Sequence, residues 1–535
     1  MHKTDSMIPI VIGVTGHRAI RKEDEAVLYQ AVKTELEKLQ RKYRDSPFVM
    51  LSSLAEGGGL LCAEAGEELD IPLLAALPMP EEEYKKGFSS SAKDQFEHQC
   101  GRAEEVFPVP PAEPLPKEGA DRQYLFRQAG IFVSSHCHIL LALWDGNPGT
   151  DAACGTADAV DFVLSGSYDP SYGLPLRTAD NTGILHVFTP GGSTGSRAAG
   201  TVSFLGDREA IEDILRKTDE FNRNTRNCPQ AEKSRLPEEA SGDPKLAGME
   251  KISLTAGRLS SMYAKRYRRV LALLAAASMI LTFAFLMYDE MQAIWMIFVC
   301  GIMLFGAWLC RRYAVRSDCH RRYIEYRALA ECFRVQVYLR YAGTAMGAEQ
   351  LLSWTQQAET AWIMAALCAL TAGKSPEETH DIRECWVEDQ ISYHENARKR
   401  SGYDRKISET VVNAALFVSI FLYLAAVLFE LLCNGLWMTP AFHVANVELY
   451  RTGLKIFLGT VSAVTLFIAN YYGRLSLTRV YSDHQKMARF YKRIRDQLAR
   501  YGQTEELLTV LAREELVENG NWCSYQRDNQ PDISL

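Results

Sequence analysis

The sequence predicts an N-terminal α/β domain built on a parallel sheet, followed by an all-α domain of four transmembrane spans with cytoplasmic helical extensions. Three observations predict it. Five apolar, strand-like runs precede residue 190, most of them closed by a glycine-bearing turn. Four uncharged runs of 17 to 20 residues lie between 270 and 472. Clusters of four or five basic residues flank each of those runs on one side only.

Residues 8–20, IPIVIGVTGHRAI, open the α/β domain. Ile8, Ile10, Val11, Ile12 and Val14 read as a buried strand. Gly13 and Gly16 permit a tight turn. The next segment, from Lys22 to Tyr43, carries Val27, Leu28, Ala31, Val32, Leu36 and Leu39 on one helical face. A second strand at 48–52 leads through the turn Ser52–Gly59 into a second helix. A third, at 71–77, ends in Pro-x-Pro. A fourth, CHILLALWDG, is followed by a loop and then by Cys154, Gly155 and Thr156 opening a helix. A fifth, GILHVFTPGGSTG, closes the series. Strands alternating with helices imply a parallel sheet covered on both faces, with ligands beyond the strands' carboxyl ends. Each glycine turn falls at such an end. A strand, a glycine turn and a helix together present backbone N–H groups to an anion.

The four apolar runs are 270–288, 291–310, 411–429 and 456–472. A helix rising about 1.5 Å per residue crosses a hydrocarbon core of about 30 Å in about 20 residues, so each reads as a span. A fifth run, AWIMAALCAL at 361–370, is too short to cross and reads as a core helix. Arg258, Lys265, Arg266, Arg268 and Arg269 precede the first span, and Arg311, Arg312, Arg316, Arg321 and Arg322 follow the second. Arg398, Lys399, Arg400, Arg405 and Lys406 precede the third, and Arg474, Arg479, Lys486 and Arg489 follow the fourth. The first hairpin tip carries only acids, and the second only Arg451 and Lys455 near the membrane. All four clusters therefore belong on one side, which makes both termini cytoplasmic and the protein multi-pass. The spans form an internal repeat of basic approach, two-span hairpin and basic helical exit. The exits at 321–343 and 479–502 each end near a Tyr and a Gly. Ile324, Ala328, Cys332, Val335 and Leu339 share a face of the first exit.

The chain has 535 residues and a formal net charge of −7, so no basic excess points to a nucleic-acid polymer. The 13 cysteines are scattered and none forms Cys-x-x-Cys, as expected of reduced thiols in a cytoplasmic setting. The N-terminal stretch does not read as a signal peptide. SHCH at 135–138 puts His136 and His138 on one face at strand spacing, with too few ligands for a metal. PVPPAEPLPKEG at 108–119 reads as a surface loop able to cover a pocket, and 222–248 as a polar linker.

The series Gly-Val-Thr-Gly-His-Arg, Leu-Ser-Ser-Leu-Ala-Glu-Gly, Leu-Pro-x-Pro-x-x-x-Tyr and Leu-x-Ala-Leu-Trp-Asp-Gly before Gly-Thr-Ala-Asp resembles the SLOG superfamily over roughly residues 7–200. That resemblance implies a Rossmann-like nucleotide-binding fold. The C-terminal part, through YRALAECFRVQVYL and EELVENGNW, is similar to SLATT-type membrane effectors, here in doubled form. Together they imply an anti-phage defence effector at the inner membrane. The domains expected are 1–215, a SLOG-like nucleotide-binding sensor; 216–250, a linker; 251–410, a first two-span unit with cytoplasmic helices; and 411–535, a second with C-terminal cytoplasmic helices.

Carried over by residue, the resemblance places a ligand against Thr15, Gly16, His17 and Arg18, against Ser53, Ala55, Glu56 and Gly57, and against Asp145, Gly146, Gly155 and Thr156. The residue types suit this. Glycine, Ser and Thr N–H groups cradle phosphate, Arg18 grips it bidentately, and Glu56 or Asp145 accepts from ribose hydroxyls. Structural readings stand beside these. His17 caps the next helix or bonds across the turn, Arg18 pairs with Glu23 or Asp24, Asp145 is a turn residue for Gly146, and Trp144 is core. Two departures from the family pattern stand out. Cys154 replaces a glycine. PGGSTGSRAAG at 190–200 lacks the glutamate that Lonely-guy enzymes of the superfamily use for hydrolysis.

No cofactor, catalytic residue or metal is expected. The ligand is a nucleotide second messenger, either a cyclic oligonucleotide or an ADP-ribose derivative. Further partners are the lipid bilayer and copies of the chain, in a homo-oligomer of two or more subunits with four as the expected number. The function expected is a nucleotide-gated effector that permeabilises the membrane. The alternatives are a membrane-anchored nucleotide-processing enzyme, cleaving NAD or a nucleotide through Glu56, and a transporter or channel with a nucleotide-binding regulatory domain. The spans' uncharged centres argue against a transporter, and their number exceeds what an anchor needs. Their polar groups, among them Ser278, Thr282, Asn413, Ser419, Thr460, Ser462, Thr465 and Asn470, suit a weakly polar pore or helix packing.

Overall fold

The computed structural model describes residues 7–110, 121–147, 155–165, 182–190, 197–228, 234–237, 242–353, 356, 360–374, 376, 378–434, 446–474 and 477–528. Cys154, the glycine loop at 191–196, most of the proline-rich segment and most of the second hairpin tip lie outside them. The chain divides into two compact units. One comprises residues 1–259, 325–382 and 504–521, and the other 260–324, 383–503 and 522–535.

The first unit is built on a seven-stranded sheet. Its strands are β1 Ile10–Gly16, β2 Phe48–Ser52, β3 Leu73–Leu77, β4 Glu105–Pro108, β5 Ile139–Trp144, β6 Gly183–Phe188 and β7 Val202–Leu205. The spatial order is β4-β3-β2-β1-β5-β6-β7. All neighbours run parallel except β6 and β7. Strands β3, β5 and β6 are buried at every position, as strands covered on both faces must be. The connecting helices include α1 Lys22–Lys42, α2 Gly58–Glu68, α3 Ser90–Arg102, α4 Arg122–Ser135, α5 Thr156–Ser165 and α6 Arg208–Arg226. A single helical turn, Glu81–Tyr84, follows β3. Residues 216–226, expected in the linker, are helical. There Asn222 is buried, accepts from Ile8 N–H at 2.9 Å and donates to Ile8 O at 2.8 Å.

SHCH does not form part of one strand. His136 terminates α4, its Nδ1 2.8 Å from Phe132 O and its ring stacked on Phe132 at 4.1 Å. His138 stands just before β5, where its Nδ1 accepts from Val11 N–H at 3.1 Å. The hydrogen-bonding needs of a helix end override the alternation the sequence suggests.

A helical layer completes this unit. Helix α9, Cys319–Tyr341, has Ala328, Cys332, Val335 and Leu339 buried. Tyr326 of α9 accepts from Asn224 of α6 at 2.7 Å, and both Tyr326 and Phe221 pack against Trp362. Trp362 belongs to α10, Ala361–Thr371, a short apolar core helix with Ile363, Met364 and Leu367 buried. Arg334 of α9 pairs with the buried Glu515. The stripe of the first exit helix is thus covered by the same chain.

Among the described residues four helices are long and apolar enough to cross a membrane, and their apolar stretches lie in the second unit. Helix α7, Pro244–Met291, and α8, Met296–Ser317, form one pair. Helix α11, Asp389–Asn434, and α12, Val447–Arg474, form the other. In both pairs the basic approach and the span are one continuous helix. Ile294, Phe298, Phe417 and Leu466 are exposed, as side chains that meet lipid tails are. Ser419 Oγ and Thr465 Oγ1 are 2.8 Å apart, and Tyr423 and Ser462 hydroxyls 3.1 Å apart. These hydroxyls therefore join α11 to α12. Helix α8 stops at Asp318, whose φ of 45° turns the chain into α9. Helix α13, Leu477–Tyr501, packs on α11, and α14, Glu505–Asp528, ends the described chain. Gly343 and Gly502, at φ 78° and 76°, close the two exit helices.

Candidate functional site

The strand order reverses between β1 and β5, the position where a crevice opens in doubly wound sheets. Thr15 and Gly16 lie in register with Ala142 and Leu143 on β5. His17 and Arg18 follow β1, Ser53 to Gly57 follow β2, and Asp145 and Gly146 follow β5. Because β5 and β6 are parallel, α5 starts at the same edge, with Gly155 exposed and Thr156 buried at its first turn. All twelve sequence-selected residues therefore map to the carboxyl edge of the sheet.

His17 closes the crevice floor. Its N–H donates to Leu143 O at 3.0 Å, and its Nε2 accepts from Asp145 N–H at 3.1 Å. Asp145 accepts from Asn147 N–H at 3.0 Å and from Asn147 Nδ2 at 2.9 Å. Burial pushes its carboxyl upward, but those bonds and His17 outweigh that and hold it below the usual carboxylate range. Trp144 is buried and donates to Asn147 O at 3.1 Å, a core residue that also ties down the turn.

The glycine turn after β2 is closed by the chain itself. Gly58 N–H donates to His17 O at 3.0 Å, and Leu60 and Leu61 N–H groups donate to Ala55 O and Gly57 O. Gly57 has φ +82°, and a β-carbon there would stand 2.3 Å from Arg18 O. Gly16 and Gly58 approach so closely that a β-carbon on Gly16 would be 3.1 Å from Gly58 Cα. These glycines serve helix–strand contact rather than an open anion cradle. Leu54, fully buried, holds a φ of 52° beside them, and its N–H donates to Ser52 Oγ at 3.0 Å. Glu56 accepts from Ser89 Oγ at 2.5 Å.

Arg18 lays its guanidinium over Phe126, 4.8 Å from the ring centre. Around it stand residues the sequence did not select. Arg122 lies over the same ring at 5.8 Å, and Tyr84 meets Phe126 at 5.9 Å. Burial pushes the Tyr84 hydroxyl up to about 12, against the pull of Arg18 and Ser53. Tyr84 stands in the Leu-Pro-x-Pro-x-x-x-Tyr motif, a signal that was present. Arg122 and Phe126 carry no comparable signal.

Two cavities of about 670 and 740 Å³ lie elsewhere in this unit. One is lined by Glu105, Asp243, Lys245 and Arg340, the other by Gln128, Phe132, His136 and Met346. Neither includes a sequence-selected residue.

No protein-family model matches the chain, and no curated protein sequence matches it.

Proposed function

We propose that the protein is a nucleotide-gated membrane effector with a SLOG-like sensor and a doubled SLATT-like membrane module. The observation that carries the reading is the meeting of three turns at the switch point, with Arg18 on one and Glu56 on another, in a chain that also has four span-length apolar helices. Arg18 takes a phosphate, Glu56 and Asp145 face ribose hydroxyls, and the open turn at Gly146 and Gly155 admits the rest of the nucleotide. Binding favours one arrangement of a homo-oligomer in the inner membrane, and that arrangement conducts. The ligand shifts the balance only by its differential affinity; a tenfold preference is worth about 1.4 kcal/mol per site, so several coupled subunits sharpen the switch.

Mass spectrometry of nucleotides retained by the purified full chain tests the ligand class. A phosphorylated nucleoside, either an ADP-ribose derivative or a cyclic oligonucleotide, is expected on the wild type. It is expected to be absent from Arg18→Ala, because a charge-assisted bond worth about 1.5–3 kcal/mol is lost. Steady consumption of NAD or nucleoside monophosphates would instead favour a nucleotide-processing enzyme.

A further inference from the structure

Beside Arg18, the sheet edge carries donors that the glycine turns do not use. Tyr84 is 1% exposed, and its hydroxyl is buried close to Arg18 and Ser53 without a hydrogen bond of good geometry to either. Such groups are uncommon, because nothing offsets their loss of water. The ring packs against Phe88 at 5.0 Å, Phe96 at 5.7 Å and Phe126 at 5.9 Å, which fixes the direction of the hydroxyl. Phe126 supports two guanidiniums, Arg18 and Arg122. The carboxylate paired with Arg122, Glu83, is 3.9 Å away, and both side chains are about half exposed (48% and 54%). Exposed pairs of that length hold weakly.

Two guanidiniums and a phenol are donors with little acceptor capacity between them. A phosphoryl group has oxygens for all three, and two positive charges match a phosphate dianion or a pyrophosphate better than a single carboxylate. The helix N-terminus at Gly58 is a poorer seat, because the N–H of Gly58 is already bound to His17 O. The geometry points to a phosphoryl site formed by Arg18, Arg122 and Tyr84, beside Phe126 and beyond the β1 turn. This rests on the nucleotide-binding reading and narrows it to ligands with a terminal phosphate or a pyrophosphate, as in ADP-ribose.

Calorimetric titration of the full chain in detergent with inorganic pyrophosphate tests the site, with acetate as the carboxylate comparison. Wild type is expected to bind pyrophosphate at least tenfold more tightly than acetate. Arg122→Gln is expected to weaken pyrophosphate at least tenfold, and Tyr84→Phe, which keeps the ring packing, about fivefold. Arg41→Gln, an exposed arginine on α1, is expected to leave it unchanged. Unfolding temperatures without ligand show that the variants remain folded. Wild-type affinity in both Arg122→Gln and Tyr84→Phe overturns the site, as does a wild type that binds acetate equally well or binds neither anion. A parallel titration with ADP-ribose separates the two readings. Binding that needs Arg18 but ignores Arg122 and Tyr84 removes this site and leaves nucleotide binding standing. Loss of pyrophosphate and ADP-ribose binding in Arg122→Gln, where ADP-ribose opens no flux through the wild type in liposomes, keeps the site and removes gating.

Discussion

The two halves of the sheet's carboxyl edge use glycine for opposite ends. At β1 and β2, Gly16, Gly57 and Gly58 let a strand, a turn and a helix touch, and a β-carbon at any of them would press on backbone. At the β5 side, no atom of the described residues stands within 4 Å of where a β-carbon would lie on Gly146 or Gly155. One half is a packed joint that fixes the backbone behind Arg18. In the other, no described residue crowds the glycines. A glycine in a βα turn is therefore ambiguous in sequence, and the atoms opposite its missing side chain decide its purpose.

The sharpest way to break this contrast is Gly57→Ala. A β-carbon at 2.3 Å from a carbonyl oxygen, on a residue at φ +82°, combines a clash with a disfavoured backbone. Destabilisation of about 4 kcal/mol is expected by chemical denaturation of the full chain. A loss below about 1 kcal/mol would mean that the joint yields easily.

Acid tests the seam between the halves from the opposite end of β5. His138 is 1% exposed, accepts from Val11 of β1, and is pushed by burial down to about 4 from an ordinary 6.5. The unfolded chain thus binds a proton that the folded chain refuses. Stability is full above pH 6.5 and falls as the pH drops towards 4. Between pH 7 and 4.5 this residue alone accounts for about 2–3 kcal/mol. His138→Gln, which can still accept from Val11, should flatten that part of the slope; an unchanged slope would remove His138 from the account.

Gly146→Ala is expected to cost about 1 kcal/mol, for its positive φ alone, since no atom of the described residues opposes the new methyl. Gly155→Ala is expected to change stability by less than about 0.5 kcal/mol. Both should nevertheless weaken ADP-ribose binding if the open half receives ligand. Thermal unfolding beside titration separates the two effects, and a Gly155→Ala protein that is destabilised but binds normally would reverse the assignment of the halves.

Much of this was legible in the residues. The short apolar runs at 10–14, 48–52, 73–77, 139–144 and 183–188 are strands because they are buried on both faces, and the apolar runs after 270 are too long to be anything but buried or lipid-facing helices. Strands β4 and β7 were not legible. Each has four residues, and β4 mixes Glu105 with Pro108, which an edge strand tolerates because it lacks one neighbour. Helix α9 has partners on several sides, from α6, α10 and Glu515 of α14, so a single stripe understates its burial. In the site, Arg18 and Glu56 lie in motifs and could be selected. Arg122 could not, because only the ring of Phe126 brings it beside a residue more than a hundred positions away. The hydroxyls in the spans were legible as polar but not as paired; only the register of α11 against α12 joins Ser419 to Thr465.

The central claim is that ligand at the sheet edge opens the membrane unit. Ion flux from liposomes containing the purified full chain tests it most directly, with ADP-ribose and a cyclic dinucleotide added in turn. Flux that appears with one of these ligands, saturates, and is lost in Arg18→Ala at equal protein incorporation is the result expected. Vesicles that stay sealed while titration shows the wild-type site occupied would contradict it.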